Sequence, residues 1–349
     1  MTRQINSPKP SAFQFRSSRR GSILIITLWS LCLLSVFAVI LGYQTRQKIM
    51  VIKRLDERDS LRFIAEAGIK RAIIELEKEE KKAYDALNDY WSNNIGVFKD
   101  IRIGDGVSSI CYNYAYEKTG ILETRFGLID EERKVNINKA GQVVLERLLI
   151  ITANLDEVEA QELAASIVDW RDADSELSIP LGSAEDSYYR NIQYPYEAKD
   201  ADFEVLEEML LVKGMTRDIF KKVKNYITIY GDGKVNINTA SKGILLALGM
   251  SEDMADKIMT LRYGKDGVAG NADDVIFDAP GNIVSRISQS YRLSDSEVAQ
   301  LSAIADQNLA VKSNFFSIKS IAGLNSRKNT IETTCVVNRD GKILYWREG

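Results

Sequence analysis

The segment "GSILIITLWSLCLLSVFAVILGYQT" (21–45) decides how this chain is organised, because no charged residue occurs anywhere in it. A helix of about 20 apolar residues matches the hydrocarbon thickness of a bilayer. The apolar region of a secretory signal peptide is shorter, roughly 7–15 residues. The residues before the segment include five Lys or Arg and no acid. We therefore predict a basic leader (1–21) and a retained transmembrane helix (22–45); a plain signal anchor is the alternative.

Beyond the membrane segment, small and apolar residues recur every three or four positions, at Leu61, Ile64, Ala65, Gly68, Ile69, Ala72, Ile73 and Leu76. This spacing is that of one face of an α-helix. The helix is therefore predicted to continue to about residue 82 and to pack on a folded domain. Lys and Arg flank the membrane segment almost equally, so the positive-inside rule does not decide its orientation.

The composition is that of a globular protein without histidine chemistry. Of 349 residues, 45% are hydrophobic and 27% charged, and no residue is histidine. This excludes Ser-His-Asp and Cys-His catalysis and imidazole zinc sites. P-loop, Gly-x-Ser-x-Gly and dinucleotide-binding motifs are also missing from the sequence. The adjacent acids Glu131–Glu132 and Glu207–Glu208 are predicted to be exposed, so we expect no enzyme.

One motif occurs twice, as "VNINKAGQVVLERLL" (135–149) and "VNINTASKGILLALG" (235–249). The segments "LAASIVDWR" (163–171) and "MADKIMTLR" (254–262) extend the repeat. Each copy is typical of a short strand, a turn and two helices. The sequence therefore predicts a duplicated helical hairpin, of the helix-hairpin-helix or SAM-like kind.

Hairpins of this kind often bind DNA phosphates, so a membrane-anchored DNA-binding protein of the competence type is an alternative function. Residues 128–264 contain 16 Lys and Arg against 25 Asp and Glu, a net charge of −9. Phosphate binding depends on a basic surface, so no nucleic-acid partner is expected. Asn138 and Asn238 are predicted to be helix N-caps instead.

Two acidic stretches are candidate calcium loops, because calcium binds six to eight oxygens that Gly-containing loops present together. The first lies in "GKDGVAGNADDVIFD" (264–278) and contains Asp266, Asp273, Asp274 and Asp278. The second contains Asp172, Asp174, Glu185 and Asp186. A polar turn and a solvated acidic loop are the respective alternatives. Any calcium is expected to be structural, since no base or nucleophile accompanies it.

β-rich segments lie on both sides of the helical middle. Upstream are 106–120 and 125–138; downstream are 315–324, 330–341 and 342–349. The residues "NRDG" (338–341) predict a hairpin turn. We therefore predict an α+β fold, in which one antiparallel sheet (46–127 and 313–349) is interrupted by an inserted helical domain (128–312). Cys111 and Cys335 would form a disulfide if the compartment is oxidising and the geometry permits.

Several dispersed motifs, in this order, resemble the K-type minor pseudopilin family of bacterial type II secretion. They are Gly21 before the charge-free helix, "AEAGIKRAIIEL" (65–76), "DWRDAD" (169–174), "GSAEDSYY" (182–189) and "KILYWREG" (342–349). The family fold is a pilin-like long helix packed on a sheet, with a helical insertion. A minor pilin of a type IV pilus shares the leader but normally lacks the duplicated hairpins.

The resemblance implies that a prepilin peptidase cuts between Gly21 and Ser22 and that Ser22 is methylated. Most pilins have Phe or Met at the first mature position and Glu at the fifth; here these are Ser22 and Ile26. Lack of the Glu is characteristic of the K type and fits a tip position. The resemblance further implies an inner-membrane protein with a periplasmic body, calcium in the helical domain, and the I-type, J-type and major pseudopilins as partners.

Overall fold

The computed structural model describes residues 19–79, 81–116, 120–325 and 329–349. Residues up to Asp59 form one unit and residues from Ser60 onwards form a second. The helices are α1 (Arg19–Glu77), α2 (Ile95–Phe98), α3 (Gln142–Ala153), α4 (Glu157–Arg171), α5 (Asp186–Tyr189), α6 (Arg217–Val223), α7 (Lys242–Ala247), α8 (Glu252–Arg262), α9 (Ile283–Ser288) and α10 (Asp295–Asn308). The strands are β1 (Ile101–Ile103), β2 (Gly106–Ile110), β3 (Tyr112–Ala115), β4 (Leu122–Arg125), β5 (Ile129–Asp130), β6 (Val135–Asn136), β7 (Ile227–Thr228), β8 (Val235–Asn236), β9 (Leu309–Ala310), β10 (Phe315–Leu324), β11 (Thr330–Asn338) and β12 (Ile343–Glu348). Residues 1–18 of the predicted leader lie outside the described residues.

Helix α1 pairs four hydroxyl groups of its apolar segment with its own backbone. The hydroxyls of Thr27, Ser30, Ser35 and Thr45 each donate to a carbonyl three or four residues earlier, at 2.8–2.9 Å. An apolar solvent requires such internal pairing, because it offers no partner of its own. Among the described residues, α1 is the one helix long and apolar enough to cross a membrane, with a mean hydropathy of 2.7 in its most apolar stretch.

The part of α1 beyond Ser60 packs on the sheet through the face that the periodicity predicted. Its buried residues are Leu61, Ile64, Ala65, Ile69, Ala72 and Leu76. The helix ends at Glu77, earlier than the predicted end near residue 82. Leu76 is the last buried residue of this face, and Glu79 N then donates to its carbonyl in a tight turn. Without further apolar positions to bury, the helix has no packing to sustain it.

The sheet is antiparallel and its strands follow the order β1-β2-β10-β11-β12. Strand β10 is its centre, because β10 also pairs with the short strand β5 near its beginning. Alternate residues of β10 are buried against α1, as a half-buried strand requires. The turn predicted at 338–341 joins β11 to β12, with Gly341 at a φ of 78°. The predicted α+β class is confirmed.

Helices α3 to α10 lie in the chain between β5 and β10, and both copies of the sequence repeat fold alike. In the first copy β6 pairs in parallel with β7 and leads to the hairpin α3–α4. In the second copy β8 pairs in parallel with β9 and leads to α7–α8. The two copies share one continuous hydrophobic core, which includes Leu145, Leu148, Leu245 and Leu248.

Helix α1 crosses the sheet most closely at Gly68. A Cβ on Gly68 would overlap Ser108 Oγ and lie 3.3 Å from Ser320 Oγ. The two hydroxyls form a buried hydrogen bond of 2.9 Å, so neither moves without losing its partner. Gly68 is therefore required here for space rather than for backbone conformation.

Replacing Gly68 by Ala is expected to lower the free energy of unfolding by about 1–3 kcal/mol, the usual cost of overpacking. Gly42→Ala in the same helix is the matched control, since a Cβ there meets nothing within 4 Å. That control gains helix propensity of up to ~1 kcal/mol. Denaturant unfolding of the full chain in detergent measures both variants; equal stability of the two would contradict this packing.

Candidate metal centre and the junction of the helical region

Asn138 and Asn238 do not cap helices, and that prediction is wrong. Each clamps the backbone of a distant phenylalanine. The amide of Asn138 accepts from Phe203 N at 2.8 Å and donates to Phe203 O at 3.0 Å. Asn238 forms the same pair of bonds with Phe277, both at 2.9 Å. In both copies the helix begins only four residues further on, so the side chain is too far away to cap it.

This clamp places the two acidic loops at equivalent positions of the repeat. In the first copy, residues 172–202 connect the end of α4 to the clamped Phe203. In the second copy, residues 263–276 connect the end of α8 to the clamped Phe277. The two candidate calcium loops are thus the same connection of a duplicated unit, with different lengths and different carboxylates.

The first of these loops brings three predicted residues together. Carboxylate oxygens of Asp172, Asp174 and Glu185 all lie within 4.8 Å of one another, and over the described residues this is the only such group of three or more acids or cysteines. Glu185 is only 3% exposed. Asp172 Oδ1 and Glu185 Oε1 are buried and accept no hydrogen bond from any described residue.

The electrostatics of this group are unfavourable without a cation. Burial is the main cause, and together with the charges of Asp169, Asp172 and Asp200 it raises the pKa of Glu185 to about 7. Burial also raises the pKa of Asp172, with Asp174 and Asp169 as the next causes. Buried carboxylates that lack donors are stable only when they are protonated or when they coordinate a cation.

Other acids of this loop have different roles. Asp186 does not join the group, because its Oδ1 accepts from Ala198 N and its Oδ2 pairs with Arg190. Asp169 and Asp200 contribute to the negative potential at Glu185, and the sequence analysis missed both. Asp169 is fully buried in α4 and accepts from Ser178 N. Asp169 is the first residue of the "DWRDAD" motif, so the sequence could have identified it.

The carboxylates of the second loop mostly bind its own backbone. Asp266 accepts from Val268 N at 2.8 Å, Asp273 from Lys265 N at 2.6 Å and Asp274 from Gly270 N at 2.6 Å. Asp278 accepts instead from the side chain of Asn282. Asp274 Oδ1 alone is buried without a described donor. These four acids do not converge as the first group does.

The chemistry of the first group fits a hard cation. Calcium takes carboxylate and carbonyl oxygens in a flexible geometry, and a loop can supply both. Bound calcium would give the orphaned oxygens of Asp172 and Glu185 a partner and would neutralise the repulsion among the three carboxylates. The ion would fix the path of the loop from the end of α4 to α5.

Residues 124–232 match the protein family described as "Type II secretion system (T2SS), protein K". The type II secretion system protein K of Aeromonas hydrophila is 23% identical, covering 94% of this chain and 96% of the relative. That of Pseudomonas aeruginosa is also 23% identical, covering 94% and 92%. The resemblance to protein K is confirmed.

A solved structure supports the fold over most of the chain. This is the crystal structure of the GspK–GspI–GspJ complex from the enterotoxigenic Escherichia coli type 2 secretion system. The similarity has a TM-score of 0.58 at 18% identity, covering 88% of this chain and 99% of the solved chain. The long helix packed on a sheet, with helices between the strands, is therefore shared with this solved structure.

Residues expected from the protein K family to direct processing and assembly lie at the start of α1. Gly21 and Ser22 fall within its first turn. Ile26 is four residues further along the helix and is 61% exposed.

The junction between sheet and helical region is held by a buried carboxylate that the sequence did not single out. Asp130 Oδ2 accepts from the Asn236 amide at 3.0 Å, the Thr239 hydroxyl at 2.5 Å and the Ser313 hydroxyl at 2.8 Å. Burial raises the pKa of Asp130 to about 6. Nearby, Asp85 pairs through both oxygens with Arg339 at 2.6 Å. The chain therefore enters and leaves the helical region at one polar cluster.

Glu131 and Glu132 were predicted to be exposed, and that prediction is wrong: they are 4% and 5% exposed. A short 3₁₀ turn turns both side chains inward. Glu131 accepts from the Thr228 hydroxyl at 2.9 Å, and Glu132 accepts from Asn314 N. Burial is the main cause, and together with the charge of Asp130 it raises the pKa of Glu132 to about 8.

This raised pKa predicts a loss of stability as pH rises. Between about 4.5 and 8, folded Glu132 binds a proton that the unfolded chain has released, so the free energy of unfolding falls with increasing pH. Glu132→Gln keeps an acceptor for Asn314 N and removes the charge. We expect it to be more stable than the parent at pH 8 and to show a shallower decline between pH 5 and 8.

Urea unfolding of the full chain at several pH values measures this dependence. Glu207→Gln is the control, since Glu207 is about half-exposed and belongs to another part of the fold. A parent chain whose stability rises from pH 5 to pH 8, or an unchanged slope in Glu132→Gln, would contradict the assignment.

The structure keeps Cys111 and Cys335 as free thiols, and the sheet explains why. Cys335 pairs in register with Ile318 and is buried on the face that contacts α1. Cys111 follows Ile110, which lies on that same face, so its side chain points to the opposite one. Its N–H donates to Lys319 O. A disulfide between opposite faces would require the strands to rearrange.

Proposed function

We propose that this chain is the minor pseudopilin that caps the tip of the periplasmic pseudopilus of a type II secretion system and helps to export folded proteins across the outer membrane. The observation that carries the proposal is full-length similarity to protein K together with a helical region of about 185 residues (128–312) between the strands of a pilin-like sheet. We propose a structural role rather than an enzymatic one.

Helix α1 supports this role as a single-pass anchor. Its charge-free segment would hold the precursor in the inner membrane, with the folded body in the periplasm. Prepilin peptidase would cut between Gly21 and Ser22 and Ser22 would be methylated. The exposed apolar face that includes Ile26 would then pack against the α1 helices of other subunits.

Two features favour the tip over the shaft. Ile26 stands where shaft subunits carry a Glu that pairs with the subunit above, so this chain offers no such pair. The inserted helices add bulk beyond the pilin-like sheet, which would hinder another subunit from stacking above. The solved relative crystallised with GspI and GspJ. By analogy, the I-type and J-type minor pseudopilins would be its immediate partners and the major pseudopilin would form the shaft below.

Immunogold labelling of pseudopili sheared from the native bacterium tests the proposal. We expect label at one end of each filament, and mass spectrometry of the same material should find a mature chain that begins at methylated Ser22. The major pseudopilin, labelled along the whole length, is the control.

Either of two results would contradict the proposal. Label for this chain along the shaft would exclude a tip position. An unprocessed N-terminus in assembled material would exclude the pilin-like class and favour a plain signal anchor.

The DNA-binding alternative is disfavoured by charge at the hairpin tips. Asp156 caps α4 by accepting from Glu159 N, so an acid already occupies the position a phosphate would take. Helix α8 begins with Glu252 and Asp253. Carboxylates at both helix starts would repel a phosphate backbone.

We further propose that calcium binds the group Asp172, Asp174 and Glu185 as a structural ion. The support is the convergence of three carboxylates with two buried, unpartnered oxygens. Asp186 would hold the loop nearby through Arg190 rather than ligate. The second loop is the weaker candidate, because its carboxylates are already bonded.

Calcium is expected to stabilise the full chain by about 2–3 kcal/mol at ~100 times its Kd. Glu185→Gln should abolish this gain. In chelator the same variant should be at least as stable as the parent, because it removes a buried charge from a repulsive group. Thermal unfolding in detergent, with calcium and with chelator, measures both effects.

Asp273→Asn in the second loop is the matched control and should retain the calcium response. A response that Asp273→Asn abolishes and Glu185→Gln preserves would move the site to the second loop. The lack of any response to calcium in the parent would contradict the proposal altogether.

A further inference from the structure

Leu181 is held in a conformation that exposes it almost completely. Its side chain is 95% exposed, more than that of any other large apolar residue among those described. Its φ is +65°, in the left-handed region that leucine rarely adopts. Both exposure of a large apolar side chain and a left-handed leucine cost free energy, and such strain is typical of functional positions.

The loop that presents Leu181 is fixed by several bonds. The Lys213 ammonium donates to the carbonyls of Leu181, Gly182 and Ser183 at 3.5, 2.9 and 3.2 Å. The Ser183 hydroxyl donates to Ile179 O at 3.1 Å and accepts from Ile179 N at 3.0 Å. Leu181 is therefore displayed by an ordered turn.

Beside this turn lies a groove of about 300 Å³, which Gly182 and Lys213 also line. Its apolar walls come from Leu155, Leu163 and Ile219. We call Leu181 together with this groove the Leu181 surface. It offers one projecting apolar side chain and one apolar recess side by side.

The rim of the Leu181 surface is acidic. Glu159 and Glu162 line the groove, and both are exposed. The nearby Lys213 is engaged with the turn carbonyls. A partner would therefore gain most from Lys or Arg around its own contact.

We propose that the Leu181 surface docks a protein partner that presents an apolar pocket edged by Lys or Arg, with Leu181 inserted into the pocket. This docking proposal goes beyond the tip position. Its test by protein export rests on the proposed function. On docking, Leu181 would become buried and complementary charges would surround it. This is the arrangement of a protein interface, with an apolar centre and a polar rim.

The first experiment places a photo-cross-linking amino acid at position 181 of the full chain in its native bacterium. Mapping the cross-linked peptide by mass spectrometry should locate it in an apolar pocket with Lys or Arg around it. The same amino acid at Leu122, which is 68% exposed on β4, is the control. No product at 181, a cross-link to an acidic or polar surface, or the same product from both positions would overturn the proposal.

The second experiment measures export with substitutions at Leu181. Leu181→Gly relieves the backbone strain, so its thermal unfolding midpoint should be unchanged or higher, yet export should fall at least tenfold. Leu181→Asp should lose export equally, Leu181→Met should retain it, and Leu122→Asp should have no effect. Normal export by Leu181→Gly and Leu181→Asp would overturn the proposal.

A deletion strain separates the two hypotheses. If deleting the chain leaves export intact, the proposed function fails. The docking proposal is then tested by the cross-linking experiment alone. If deletion abolishes export while Leu181→Asp does not, the proposed function stands and the docking proposal fails.

Discussion

The fold depends on one buried oxygen, Asp130 Oδ2, at which three donors from two distant parts of the chain meet. A buried carboxylate is very costly unless hydrogen bonds replace its water. Here Asn236 and Thr239 from the second repeat and Ser313 from the returning chain supply them. Asn236 also donates to the carbonyl of Asp85, which precedes the sheet. The charge is satisfied only when sheet, second hairpin and return segment are all in place. This requirement positions the helical region on the sheet more precisely than apolar contact would, because hydrogen bonds are directional and hydrophobic burial is not.

The elements that could be predicted are those whose pattern lies within one segment. The face of α1 that packs on the sheet followed from a period of 3.6, and β10 followed from alternation along ten residues. The turn at 338–341 followed from residues that tolerate its backbone angles. The duplication was visible because the same residues recur in both segments. The structure shows that equivalent residues form equivalent hydrogen bonds: both Asn138 and Asn238 clamp a phenylalanine backbone. The type of element was therefore predictable, while the reach of its side chains was not.

The errors share a physical cause, which is long sequence separation. Glu132 was predicted to be exposed because neighbouring acids on a helix face different directions. It lies instead in a 3₁₀ turn and bonds Asn314, 182 residues away. The Asn138 clamp spans 65 residues and the Asn238 clamp spans 39. No local periodicity contains that information. The candidate metal group was found only in part for the same reason: Asp172, Asp174 and Glu185 share one acidic stretch, whereas Asp200 reaches Glu185 only through the folded loop.

The two copies of the repeat have diverged at the connection that the asparagine clamp closes. In the second copy the carboxylates of the short connection accept from its own N–H groups. Ala269 O in this connection accepts from Arg125 of strand β4 at 2.7 Å. That connection is thus used to attach the helical region. In the first copy the longer connection leaves buried oxygens of Asp172 and Glu185 without donors and displays Leu181 to solvent. A duplicated unit can keep one clamp for stability in both copies and release one connection for other contacts. The two connections therefore differ: one is bonded to Arg125 of strand β4, and the other carries the acids of the proposed calcium site and the leucine of the proposed docking surface.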